Sequence, residues 1–135
     1  MGKAVSIDFG LKRTGLAISD ESRIFAFGLE TVDSKNLMNF LVDLRNKEQF
    51  TTIVLGMPKR LNNEDSHVSE NVRLLKDALE KQFMGVEVVL LDERFTSKMA
   101  SASMHSAGAS KKQKKQKGLV DKVSATIILQ SYLGQ

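Results

Sequence analysis

Three strand-like segments crowd into the first 32 residues, and the apolar period changes after them. Lys3 to Phe9 (KAVSIDF) reads as a first strand, Leu16 to Ser19 as a second and Ile24 to Val32 as a third. Arg13-Thr14-Gly15 leads into the second strand and the polar turn Asp20-Glu21-Ser22 precedes the third, and such short connections predict an antiparallel meander. From there the spacing is helical. Leu37, Phe40, Leu41 and Leu44 predict a helix with Asp33 or Ser34 as its N-cap. Thr52 to Leu55 is β-branched and ends at Gly56-Met57-Pro58. Val68, Val72, Leu75 and Leu79 predict a second helix started by Ser66. Val86 to Leu91 is strongly apolar, as in a strand covered on both faces. A helical stretch from about Ser97, a lysine-rich loop and an apolar helix from Leu119 to Leu133 complete the chain.

A meander that continues into helix-linked strands predicts an α/β fold. Its sheet should be mixed and five-stranded, with helices on both faces. Chemistry in such sheets gathers near the carboxyl ends of the parallel strands. The length of 135 residues suits a single domain, residues 1–135.

Composition narrows the chemistry. The chain has no cysteine, which removes disulfides, thiolate metal sites and a cysteine nucleophile. That fits a reducing, cytoplasmic setting, as does the lack of a signal-peptide layout or a bilayer-length apolar run. His67 and His105 lack metal-ligand spacing. Lys+Arg is 20 against 16 Asp+Glu, but five of the lysines sit together: Lys111, Lys112, Lys114, Lys115 and Lys117. Without them 15 basic residues face 16 acidic ones, so the positive excess lives in one segment. Such a block suits contact with a polyanion, or a solvated mobile loop from Ser110 to Gly118.

Three sets of carboxylates stand at the ends of predicted core elements. Asp8 closes the first strand before Phe9-Gly10, where glycine permits a close backbone approach or an unusual turn. Asp92 and Glu93 stand at the end of what reads as the most buried strand, before Arg94. Asp121 opens the last helix, on the face of Ala125, Ile128 and Tyr132. Taken singly, each has an ordinary structural explanation: a turn cap, a pair with Arg94, a favourable place at a helix N-terminus. Brought together, they would make an oxygen-rich site for Mg²⁺ or Mn²⁺, the apparatus of phosphodiester hydrolysis.

The run Asp8-Phe9-Gly10-Leu11-Lys12-Arg13-Thr14-Gly15-Leu16-Ala17-Ile18-Ser19-Asp20 resembles the opening motif of the YqgF/RuvX family. Three more segments match in order. They are Gly56-Met57-Pro58, Leu91 to Ser97 (LDERFTS) with Ala100, and the lysine run followed by Asp121 and Ala125 to Leu133. The resemblance implies a ribonuclease H-like fold shared with Holliday junction resolvases. It implies a nuclease that processes the 5′ end of pre-16S rRNA, with branched DNA as the alternative substrate. Asp8, Glu93 and Asp121 match the family's acidic positions, as catalytic residues and ligands of Mg²⁺ or Mn²⁺. Two departures stand out. Leu61 to Ser66 (LNNEDS) lacks the glycine of the usual Asp-Gly turn, and the middle acid follows the fifth strand, where the resolvases carry it on the fourth.

Lys12, Arg13 and Arg94 would then lie beside the acids, able to hold phosphates or to pair with carboxylates. With the five lysines they form the expected substrate-binding set. Thr96 and Ser97 are expected to cap the following helix. An actin-like ATPase shares the Asp-x-Gly loop but needs two such domains, and the kinase and Walker motifs are absent. A non-catalytic nucleic-acid-binding or ribosome-assembly module is the rival outside enzymes. Few aromatics, 6% of the chain, argue against a base-stacking platform. The myristoylation-like start Met1 to Ser6 directly abuts a core strand and reads as chance. The expected partner is nucleic acid, with no membrane, and the protein is expected as a monomer or homodimer.

Overall fold

Alternation sets the first strand, Ala4–Asp8 (β1). Val5 and Ile7 join the core on one face, while Ala4 packs into a second cluster on the other. The computed structural model describes residues 2–57, 67–92 and 117–134. Arg13–Ser19 (β2) pairs antiparallel with β1, and Ala26–Asp33 (β3) pairs antiparallel with β2. The expected meander is present. Arg13-Thr14-Gly15, the lead-in to the second strand, is already part of β2, because each residue finds a ladder partner on β3.

A 3₁₀ turn, Ser34–Asn36, leads into Leu37–Glu48 (α1). Thr52–Met57 (β4) pairs parallel with β1, and Glu87–Asp92 (β5) pairs parallel with β4. His67–Gln82 (α2) connects those two strands, and Lys117–Leu133 (α3) is the last helix. The strand order is β3-β2-β1-β4-β5. Helices cover both faces. Leu37, Leu41 and Leu44 of α1 and Val72 and Leu79 of α2 join Val5, Ile7, Leu16, Ile53 and Leu55. Opposite, Ala125, Ile128 and Leu129 of α3 pack on Ala4, Ala17 and Val54. Small residues line the sheet there, so α3 approaches closely enough for the Ser6 hydroxyl to donate to the Ala125 carbonyl at 2.5 Å.

Four expectations need correction. The apolar strand before Asp92 is an edge of the sheet among the described residues, not its most covered strand. Leu90 is 37% exposed, whereas β4 is buried along its whole length. Neither Asp33 nor Ser34 caps α1 through its side chain; Asn36 occupies the cap position, without a side-chain bond. The last helix starts at Lys117, so Lys117 and Gly118 belong to it and not to a loop. Lysine is a good helix former, and a glycine in a helix costs at most about 1 kcal/mol. Asp121 consequently sits in the second turn and does not open the helix. The Ser66 start, the helix from Ser97, and Ser110 to Gln116 lie outside the described residues. Among the described residues no helix is long and apolar enough to cross a membrane.

The turn between β2 and β3 is built by two side chains. Asp20 Oδ1 accepts from the amides of Ile24 and Phe25, at 2.8 and 2.9 Å. Arg23 adopts a left-handed backbone at φ 59°. Its Nε donates to the Gly2 carbonyl at 2.8 Å, and its Nη2 to the Thr51 and Thr52 hydroxyls at 3.0 and 2.8 Å. The Phe25 amide, opposed by partial burial, holds the Asp20 carboxyl below its usual 3.8. A depressed native pKa stabilises the fold above the unfolded value, and that gain is lost as pH falls through the native one. Asp20→Asn is therefore expected to lower the melting temperature at neutral pH. The gap to the parent should close on acidification below about pH 4, as thermal scans across pH would record.

Candidate active site

Asp8 ends β1, half-buried, opposite Gly15 of β2 in the ladder. Glycine contributes no side chain over the carboxylate's neighbour position. Because β1, β4 and β5 run parallel, Asp8, Met57 and Asp92 all end strands at one edge of the sheet.

The bond from Ser6 to Ala125 fixes how α3 crosses that sheet. The far end of α3, at Gln130, Leu133 and Gly134, borders a cavity with Arg23 to Phe27, beside the start of β1. The Ala4 amide bonds the Ser19 hydroxyl at that same end. The helix therefore runs opposite to β1, and its first turns lie toward the carboxyl ends of the strands. From Ser6, Asp8 lies two strand residues onward, about 7 Å. From Ala125, Asp121 lies four helix residues back, about 6 Å in the same direction. The two acidic positions thus leave one contact point in parallel.

The chain from Asp8 to Arg13 turns tightly. A Cβ on Gly10 would stand 2.4 Å from the Arg13 carbonyl oxygen. Of the two roles glycine could have here, the close backbone approach is the one present. Ser34 pins this turn from outside: its hydroxyl donates to the Gly10 carbonyl at 2.5 Å and its amide to the Lys12 carbonyl at 2.9 Å. The Ser34 and buried Thr14 hydroxyls share a further bond at 2.8 Å. Lys12 and Arg13 project from this turn, exposed. Gly10→Ala is expected to destabilise the protein by about 1–3 kcal/mol, since backbone must move to admit the methyl group. Urea unfolding monitored by circular dichroism would measure it.

Lys117 is the first residue of α3. Glu93, Arg94, Lys111, Lys112, Lys114, Lys115, Thr96 and Ser97 lie outside the described residues. Among the described residues no group of three acidic or histidine side chains stands ready to hold a metal. Asp20, the last residue of the opening motif, is at the other end of the sheet from Asp8, where it shapes the hairpin. Reading the sequence missed Ser34 and its neighbour Lys35. The signal available, a serine ahead of a helix, pointed to a cap.

A family model described as RuvX, Holliday junction resolvase, matches residues 2–135. A protein of Bacteroides thetaiotaomicron named "Putative pre-16S rRNA nuclease" is 45% identical over 133 residues, covering 98% of this chain and 96% of the relative. One of the same name from Flavobacterium johnsoniae is 43% identical with the same coverage. Among solved structures, Thermus thermophilus RuvC in complex with a Holliday junction substrate aligns with a TM-score of 0.62. The alignment covers 100% of this chain and 98% of that one at 12% identity, a likeness of fold. The sheet order, the helices on both faces and that likeness make the fold ribonuclease H-like, and the chain belongs to the RuvX family.

Proposed function

We propose that this protein is a metal-dependent nuclease that hydrolyses phosphodiester bonds to process the 5′ end of pre-16S rRNA. The names of its relatives support the substrate. The observation that carries the chemistry is the antiparallel crossing of α3 over β1, anchored by Ser6 and Ala125, with Asp8 and Asp121 leaving it toward the same edge. Glu93, next after β5, is the third acid of the proposed set.

The donors fit a hard divalent cation. All three are carboxylates, and the chain has no cysteine to favour a softer metal. Asp8, Glu93 and Asp121 would hold Mg²⁺ or Mn²⁺, which when bound supplies Lewis acidity toward the phosphate and a water of lowered pKa. In the reaction a water oxygen bonds to phosphorus and one phosphorus–oxygen ester bond breaks. A proton passes from the water to solvent or a carboxylate, and the leaving oxygen gains one. Lys12, Arg13 and Arg94 hold the non-bridging oxygens and offset the charge that develops there. The lysines from Lys111 to Lys117 grip the flanking backbone, a contact without base information. An rRNA precursor as substrate is consistent with a cytoplasmic protein, and we take it to act as a monomer or homodimer.

The test is an assay of purified protein on a 16S precursor carrying its 5′ extension and, in parallel, on a four-way DNA junction, each with Mg²⁺ or Mn²⁺. Shortening of the RNA supports the proposal. Paired cuts in the junction alone would make the protein a resolvase. Binding without cleavage of either would make it an assembly module.

A further inference from the structure

The bonds around Ser34 do more than hold the turn after Asp8: they bring a third cation to its rim. Lys35 follows Ser34 directly, and the Ser34 amide is bonded to the carbonyl of Lys12. Arg13 follows Lys12 and stands opposite Asp33 in the β2–β3 ladder. Lys12, Arg13 and Lys35 are all exposed. Twenty-two residues separate Lys12 from Lys35 in sequence, so only the fold makes them neighbours. Asp33, also exposed, is the acidic residue among them, and the four together carry two net positive charges.

Holding like charges on one rim is unfavourable in the free protein unless counterions or a polyanion offset them. The turn cannot relax to separate them, because Ser34 bonds it at two carbonyls and Gly10 is packed against the Arg13 carbonyl. The rim also borders Asp8, at the end of the sheet to which the strands β1, β4 and β5 point. A phosphodiester backbone is a ligand whose repeated charge suits three exposed cations carried on one turn and the segment bonded to it.

We infer that Lys35 is a substrate-binding residue, presented by Ser34 so that Lys12, Arg13 and Lys35 together seat the nucleic-acid backbone beside Asp8. The inference rests on the nuclease reading for the identity of the polyanion, but not on cleavage. Lys35 contributes a phosphate contact separate from the lysine run before α3. Ser34 is a positioning residue: it acts through the turn it holds and touches no substrate.

The test is a binding titration of a fluorescently labelled RNA of mixed sequence, in EDTA, at several salt concentrations. Lys35→Gln is expected to reduce the slope of log K against log salt by about 0.7 to 0.9, the contribution of one phosphate contact. Lys47→Gln, the same charge change at the exposed end of α1 away from the rim, should leave the slope unaltered. Ser34→Ala should lower the slope as well, and Ser34→Thr, which keeps the hydroxyl, should restore it. Melting temperatures taken alongside identify any variant that fails to fold, and Lys35→Gln alone then carries the test. If Lys35→Gln and Lys47→Gln behave alike, Lys35 is not a contact and the inference is overturned. If the parent protein binds no RNA at all, the nuclease reading fails first.

Discussion

Asp8→Asn is expected to lower cleavage of the RNA precursor by more than 100-fold while the protein still folds. The substitution keeps the shape of the side chain and removes its charge. Losing a partner that merely orients a metal ligand costs about 10- to 100-fold, so losing a ligand should cost more. Asp8 ends a strand whose other side chains are buried on both faces. Its backbone position is therefore fixed by the core. Two measurements separate the chemistry from the fold. Circular dichroism and thermal melting should show a native protein, and Mn²⁺ titration followed by water proton relaxation should show weakened metal binding. Undiminished cleavage by the variant would remove Asp8 from the reaction. Undiminished metal binding with lost cleavage would leave Asp8 catalytic but not a ligand.

The architecture was legible because it is written in local patterns. Period-2 segments close together made the meander, and the change to helical spacing after Val32 made the parallel half. Asp8 was legible because a charge interrupts an apolar strand just before a glycine. Pairing beyond neighbours was not. Val86 to Leu91 has the composition of a central strand, yet β5 has one ladder partner among the described residues. Composition records how apolar a strand is, not how many strands flank it. Ser34 shows the same limit. Serine ahead of a helix is a good capping signal, and its hydroxyl is equally able to reach another carbonyl. Here the carbonyl of Gly10, 24 residues away in sequence, captured it. Lys35 went unnoticed for the same reason, since its neighbours Lys12 and Arg13 come from another strand connection. Of the acids, the sequence marked Asp121 by its helical spacing, and the direction of α3 carries the first turns of that helix toward the carboxyl ends of β1 and β4. Asp20 illustrates the reverse case, a motif residue that belongs to the fold, because a hairpin needs an acceptor for two amides.

Changing Lys111, Lys112, Lys114, Lys115 and Lys117 together to Gln is expected to flatten the salt dependence of RNA binding by about 3.5 to 4.5 log units per log unit of salt, if each lysine meets one phosphate. The whole positive excess of the chain lies in these residues, so their loss should turn a binder of polyanions into a near-neutral protein. Lys117 begins α3, where the helix dipole adds partial positive charge and three residues separate it from Asp121. A backbone gripped at Lys117 is thereby led toward the acidic position one turn on. Glutamine has nearly the helix propensity of lysine, so α3 should form as before. Affinity should fall equally for RNAs of different sequence, because a lysine on phosphate reads no base. Cleavage at saturating RNA should fall far less than affinity, which separates this variant from Asp8→Asn. Titrations at several salt concentrations, paired with saturating single-turnover cleavage, measure both effects. An unchanged slope would reduce the lysines to solubilising charge. The rim formed by Lys12, Arg13 and Lys35 would then have to carry the electrostatic grip on its own.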